Sequence, residues 1–318
     1  MMKALLAAFA LLFAAPALAA DPTNMMPELS EGHVIAWPAL DGGAAGPMTV
    51  WVWLPPGYDQ AKADRFPVLY MHDGQNLFDR KLTGYDQEWQ MDEAIPRMVR
   101  QGDLRSWIVV GVQSPRQRYM GLFPEKIFPL LSPAMKAKVL ALDSGGAKTP
   151  FAGDAYLRFL TGVVKPRVDR AFRTLSGPED TAVMGSSMGG LMAFYAMAEY
   201  PEMFGQAAAV SMHLALFDPT VKGDDHAAQA KLAADAFRRY LANSRMRPGR
   251  NRLYIDHGTA TLDGSYAPYS AEVVPMLERL GWKGPSFMFR IFKGTEHNET
   301  AWAQRVDIPL AFLDRRDP

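Results

Sequence analysis

Cysteine is absent from all 318 residues. That excludes disulfides, thiol nucleophiles, CxxC redox motifs and cysteine-ligated zinc. Net charge is absent too, since 34 Lys and Arg balance 34 Asp and Glu. No basic stripe stands out, so a nucleic-acid partner is not expected. There is no internal repeat, and past residue 20 no apolar run approaches the roughly 20 positions of a membrane span. What remains is a globular balance of 48% apolar and 21% charged residues. Such a chain can bury a sizeable core without covalent staples.

The first residues stand apart. "MMKALLAAFALLFAAPALAA" has Lys3, an apolar run and then Ala17-Leu18-Ala19. That is the plan of a secretory signal peptide, with cleavage expected after Ala19. Pro16 interrupts the run, which is short for a membrane anchor. The expectation is an exported protein, periplasmic or secreted, with no membrane span after cleavage. Residues 20–318 are then read as a single catalytic domain.

Apolar runs alternate with helical patterns along that domain. "HVIAWPAL" and "MTVWVWLPP" read as an opening pair of strands. "FPVLYMHDG" reads as a strand buried on both faces, and "SWIVVGVQS", "DTAVMGSS", "GQAAAVSM", "NRLYIDHG" and "PSFMFRIFKG" read as the strands that follow it. Helices are expected between them, including one long helix over 153–172 and a final one over 299–316. In the helix over 226–245 the core face is read as Leu232, Ala236, Tyr240 and Leu241. This alternation predicts an α/β fold, with a mostly parallel sheet of about eight strands and helices on both faces.

Within "VMGSSMGG", Gly185-Ser186-Ser187-Met188-Gly189 fits G-x-S-x-G between a predicted strand and a predicted helix. In that setting the pentapeptide is a nucleophile elbow, with Ser187 on a turn too sharp for bulky neighbours. Small-residue packing between strand and helix is the blander explanation. The Met188 amide would open the helix, where an oxyanion is stabilised.

A serine needs a base. Of the 6 histidines, His297 in "FKGTEHNETAW" follows the last strand and precedes the last helix. His72, His213 and His257 lie near strand ends and read as structural. The acid is expected from "YIDHGTATLDGSY". Asp263 lies in the loop and reaches an imidazole more easily than Asp256, which lies in the strand. Asp256 stays open as the alternative acid. Ser187, Asp263, His297 is the chain order such a fold requires. In "HDGQNLFD" the Gln75 amide, after Gly74, is the candidate second oxyanion donor. The two carboxylates there miss the calcium-loop spacing, so no metal is expected.

"VWLPPGYD", "FPVLYMHDGQNLFD", "GSSMGGLMAFYAMAEYPEMFG" and "GTEHNETAW" resemble the putative esterase family of α/β-hydrolases. That family includes enterochelin-type siderophore esterases and feruloyl and acetyl-xylan esterases. It also includes S-formylglutathione hydrolase and the mycolyltransferases. The resemblance covers about residues 33–315. It implies the α/β-hydrolase fold, a Ser-His-Asp mechanism on carboxylic esters and no cofactor. The substrate is then a small-molecule or saccharide ester. Acyl transfer to an alcohol, or a binding protein without turnover, are the alternatives.

Residues 114–152 leave the carboxyl end of a strand, the edge where ligands bind in open α/β sheets. They exceed an ordinary connection and carry a capped helix from Ser132. They are read as a rim or lid insertion over Ser187, with Arg118 and Tyr119 near substrate and Trp89 on the opposite wall. A surface insertion that touches no substrate is the alternative.

Overall fold

A computed structural model of the chain describes residues 26–60, 62–142, 151–221, 223 and 225–315. The expected signal peptide and its cleavage site lie outside the described residues, as does the "SGGAKTP" exit of the insertion. Among the described residues no helix is long and apolar enough to cross a membrane.

The strands are β1 (His33–Asp41), β2 (Pro47–Leu54), β3 (Val68–His72), β4 (Ile108–Val112), β5 (Thr181–Ser186), β6 (Gln206–Val210), β7 (Arg252–Gly258) and β8 (Phe287–Phe292). They form one 8-stranded sheet in the order β1-β2-β4-β3-β5-β6-β7-β8. The β1–β2 and β2–β4 pairs are antiparallel, and every later pair is parallel. This is the predicted sheet. Alternation along the strands divides the core between its two faces. Val50, Val52 and Leu54 enter one apolar cluster, and Trp51 and Trp53 enter the other. On β3, Val68 and Tyr70 separate from Leu69 and Met71 in the same way. A strand buried on both faces needs this continuous apolar character.

The helices are α1 (Met91–Gln101), α2 (Arg118–Gly121), α3 (Pro133–Ala141), α4 (Gly153–Phe159), α5 (Lys165–Ala171), α6 (Met188–Glu199), α7 (His226–Leu241), α8 (Ala267–Arg279), α9 (Glu299–Ala303) and α10 (Asp307–Leu313). Two long helices of the sequence reading are interrupted, each for a physical reason. Over 153–172 a π-helical turn at Leu160–Val164 joins α4 to α5. It precedes Pro166, whose missing amide and bulky ring disfavour a regular turn. At the C-terminal end Pro309 can neither donate to the Arg305 carbonyl nor pack beside it. The helix breaks there, and Arg305 turns its side chain into the core. On α7 the buried face is Ala230, Ala233, Ala234, Ala236, Phe237, Tyr240 and Leu241. Leu232 is 46% exposed, because the alanine-rich sequence offers two overlapping apolar faces.

The segment after β4 is not a detachable flap. Leu122, Phe123, Ile127, Leu131, Met135 and Val139 are buried in the same cluster as β2 and β3. Ser132 caps α3 through the Met135 amide, and Pro133 stands at its first position, as the sequence indicated.

Candidate active site

The carboxyl ends of β3, β5, β6 and β7 converge with the loop after β8. Ser187 stands between β5 and α6 with φ 57° and ψ −120°. An L-residue rarely adopts that conformation, and such strain persists only where neighbours hold it. Two bonds do so: the Ser187 amide donates to the Val210 carbonyl at 3.0 Å, and the His213 amide donates to the Ser187 carbonyl at 3.2 Å. Glycine is required around it. A Cβ on Gly185 would lie 2.7 Å from the Gly189 backbone, and one on Gly189 would lie 2.8 Å from Asp73 Oδ2. Gly189 therefore makes room for the loop after β3 as well as for the turn. Gly185→Ala is expected to cost about 1–3 kcal/mol, since overpacking here meets backbone. The denaturant midpoint of the variant checks this.

His297 and Asp263 form a pair, with Nδ1 to Oδ1 at 2.6 Å. Asp263 is fully buried, in the 3-10 turn Thr261–Ser265 that follows β7. Burial works against its ionisation. The His297 ring and bonds from Ser211 and the Gly258 amide nonetheless hold its pKa below the usual value. His297 Nδ1 therefore carries the proton shared with the carboxylate, leaving Nε2 as the free base position. The ring stands edge-on between Tyr266 (5.9 Å) and Trp302 (5.1 Å). Tyr266 also adjoins Ser187. Burial raises the phenol's pKa well above its ordinary value, and the Ser187 hydroxyl opposes that rise.

Asp256, the alternative acid, makes no contact with His297. It is fully buried and paired with Arg305. Oδ1 accepts from Arg305 Nη2 at 3.1 Å, and Oδ2 accepts from Nε at 3.2 Å.

The loop after β3 begins at Asp73, whose φ of 59° and ψ of 46° are left-handed. Gly74 lies against β4, where a Cβ would fall 2.4 Å from the Gly111 carbonyl carbon. The Gln75 side chain is turned onto Ser114, donating to its hydroxyl at 2.9 Å and accepting from its amide at 3.2 Å. Met188 is the first residue of α6, so its amide is among the donors without an intrahelical partner.

Arg118, expected near substrate, lies against the elbow. Its guanidinium grips Asp73 through Nε and Nη2, both at 2.7 Å, and Nη2 also reaches the Ser186 carbonyl at 3.3 Å. It fastens the β3 loop to the elbow. Burial opposes ionisation of Asp73, but the Arg118 charge and bonds from Arg118 and Ser114 hold its pKa below the usual value. Tyr119 donates to the Leu216 carbonyl and stands edge-on to His213. Trp89 does not line a wall. It is 1% exposed and stacks on Trp302, behind His297. An aromatic with so little accessible surface belongs to the core.

The sequence reads His213 as structural, whereas Asn76 and Tyr85 carry no functional signal there. His213 is buried, with Nδ1 3.0 Å from the Tyr266 hydroxyl. Burial, then the nearby His297 and Arg118, lowers its pKa to about 3, so it is neutral. Asn76 and Tyr85 both donate to Glu299 Oε1, at 2.8 and 2.6 Å. Those bonds join the loop carrying Gln75 to the helix just after His297. His72 and His257 bond Tyr156 and Ser270, as structural histidines would.

A family profile described as "Putative esterase" matches residues 44–302. The uncharacterized protein YbbA of Bacillus subtilis (strain 168) is 26% identical over 173 residues, 54% of this chain and 60% of the relative. The match thus spans less than two thirds of that relative's length. Among solved structures, a ferulic acid esterase is 16% identical with a TM-score of 0.58, covering 90% of this chain and 99% of its own. The enterobactin esterase FES from Shigella flexneri is 14% identical with a TM-score of 0.55, over 91% of this chain and 60% of its own. An IroE-like serine hydrolase from Shewanella oneidensis is 17% identical with a TM-score of 0.58, over 88% and 79%. At these identities the solved structures share the fold, that of the α/β-hydrolases. The profile covers most of the sequence, and the chain belongs to the "Putative esterase" family, a family of carboxylic ester hydrolases.

Proposed function

We propose that this chain is an exported serine hydrolase of carboxylic esters, acting through Ser187, His297 and Asp263. The observation that carries the reading is the strained serine at the strand-to-helix turn, with Tyr266 touching both that serine and a histidine whose Nδ1 is held by a buried carboxylate. Ser187 Oγ attacks the ester carbonyl carbon as His297 Nε2 takes its proton. Asp263 keeps the ring in that tautomer and stabilises the imidazolium. The Met188 and Gln75 amides receive the negative charge that develops on the carbonyl oxygen. His297 returns the proton to the leaving alcohol, and an acyl-Ser187 ester remains. Water, deprotonated by His297, attacks the acyl carbon; the bond to Ser187 Oγ breaks, the acid leaves and Oγ recovers its proton from His297.

The substrate class is a small ester of a carbohydrate, phenolic acid or siderophore. The names of the ferulic acid and enterobactin esterases among the structural neighbours support it. The segment over 114–142, with Tyr119 against His213, forms the rim over Ser187. Arg118 contributes there by holding the β3 loop. The leader directs export to the periplasm or beyond.

A fluorophosphonate probe tests the reading. The mature protein is expected to label at one residue, Ser187, identified by peptide mass, and to release acid from an aryl ester. A protein that folds but neither labels nor turns over any ester sinks the proposal.

A further inference from the structure

The residue just after β6 is Ser211, whose φ of 43° lies in the left-handed region. Serine has no steric reason to be there, and strain of this kind is retained where the side chain is needed. Its hydroxyl has three partners. Trp302 Nε1 and Arg305 Nη2 each lie 2.9 Å from it, and Asp263 Oδ2 lies 2.6 Å away. An indole and a guanidinium can only donate. Ser211 Oγ therefore accepts from both, and its single proton has one destination, Asp263 Oδ2. Two donors onto the oxygen, one of them cationic, strengthen the bond it gives in turn.

The far side of the carboxylate closes the arrangement. Asp263 Oδ2 also accepts the Gly258 amide at 2.6 Å. With Ser211 and Gly258 on Oδ2, only Oδ1 faces His297. Asp256 anchors the other end of the chain. It pairs with Arg305 and accepts the Ser211 amide at 2.8 Å. The two aspartates that compete for the acid role in the sequence are thus joined, one as partner of His297 and one as the anchor behind it.

We propose that Ser211, with Arg305 held on Asp256, is a positioning residue: it fixes the Asp263 carboxylate so that Oδ1 alone meets His297 Nδ1. This rests on the function proposed above. It assigns Ser211 no contact with substrate. The other titratable groups around the pair are Tyr266 and His213. Burial raises the Tyr266 phenol and lowers His213 to about 3, so both stay neutral through the working range. The pH response of the pair is left to Asp263 and the groups that hold it.

The test uses Ser211→Ala and Ser211→Gly in the full chain. Alanine removes the hydroxyl and keeps the strained backbone. Glycine removes the hydroxyl and relieves the strain, so it supplies a folded variant where alanine does not. Without the donor, Asp263 holds its share of the proton more tightly and is free to rotate. Both variants are expected to lose about ten- to hundredfold in kcat, the range for a hydrogen bond to a charged group, with KM little changed. The acid limb of kcat/KM should move up by about one pH unit. The low-field proton resonance of His297 Nδ1 should shift in both. That resonance is read without substrate, so it tests the positioning even if the wild-type protein fails to label and the function proposal falls. Wild-type kcat, acid limb and resonance in a folded Ser211→Gly protein would overturn the inference.

Discussion

Ser187→Ala is expected to lower ester turnover by about a millionfold, the scale at which loss of the nucleophile acts in a serine triad. The loss should come with no loss of fold. Alanine removes one oxygen and leaves the backbone bonds from Ser187 to Val210 and His213 in place. The positive φ costs alanine about what it costs serine, so the turn keeps its shape. Ser186→Ala is the control. Ser186 is 3% exposed at the end of β5, and it is its carbonyl that Arg118 reaches. A backbone acceptor survives the substitution, so turnover should fall by less than about tenfold. Acid release under saturating aryl ester and thermal melting of both variants check the pair. A dead Ser186→Ala beside an active Ser187→Ala would overturn the elbow assignment.

The same contrast shows what sequence can carry. The elbow was legible because its requirements are local. A Cβ on Gly185 would meet the Gly189 backbone within the turn itself, and one on Gly189 would meet the Asp73 side chain, so the pentapeptide announces the turn. The sheet was legible because strands buried on both faces leave continuous apolar runs. The pairing of Asp263 with His297 was legible through chain order, each lying in the loop after its strand. The support behind them was not. Ser211, Trp302 and Arg305 come from two distant stretches, and none has a spacing that announces a partner. Arg305 enters the core because Pro309 breaks the last helix, a consequence of a residue four positions on. Trp89 was misplaced for a related reason. Its neighbours in the chain lie at the site, but a side chain can turn inward from a surface loop, and here it stacks on Trp302. Arg118 reads from the sequence as a residue near substrate, since no spacing announces Asp73 as its partner.

Asp263→Asn and Asp256→Asn are expected to fail in opposite ways. In Asp263→Asn the side chain keeps its place, because its one carbonyl oxygen can still accept from Ser211 and from the Gly258 amide. That choice forces the amide nitrogen toward His297 Nδ1. An NH2 group donates, so the ring must accept there and carry its proton on Nε2. Nε2 then has no lone pair for the Ser187 proton. Turnover should fall by about ten-thousandfold, as a wrong histidine tautomer does elsewhere, with a melting temperature near that of the parent. Asp256→Asn leaves Arg305 as a buried cation without its counter-ion. Breaking one partner of such a pair costs about 3–5 kcal/mol. The melting temperature should drop by roughly 10 °C for a chain of this size. The folded fraction keeps the His297–Asp263 bond, so its turnover should fall by only about tenfold, through the loosened hold of Arg305 on Ser211. Rates normalised to active-site titre, set beside melting curves, separate the two. A stable, inactive Asp256→Asn with an unstable, active Asp263→Asn would transfer the acid role to Asp256.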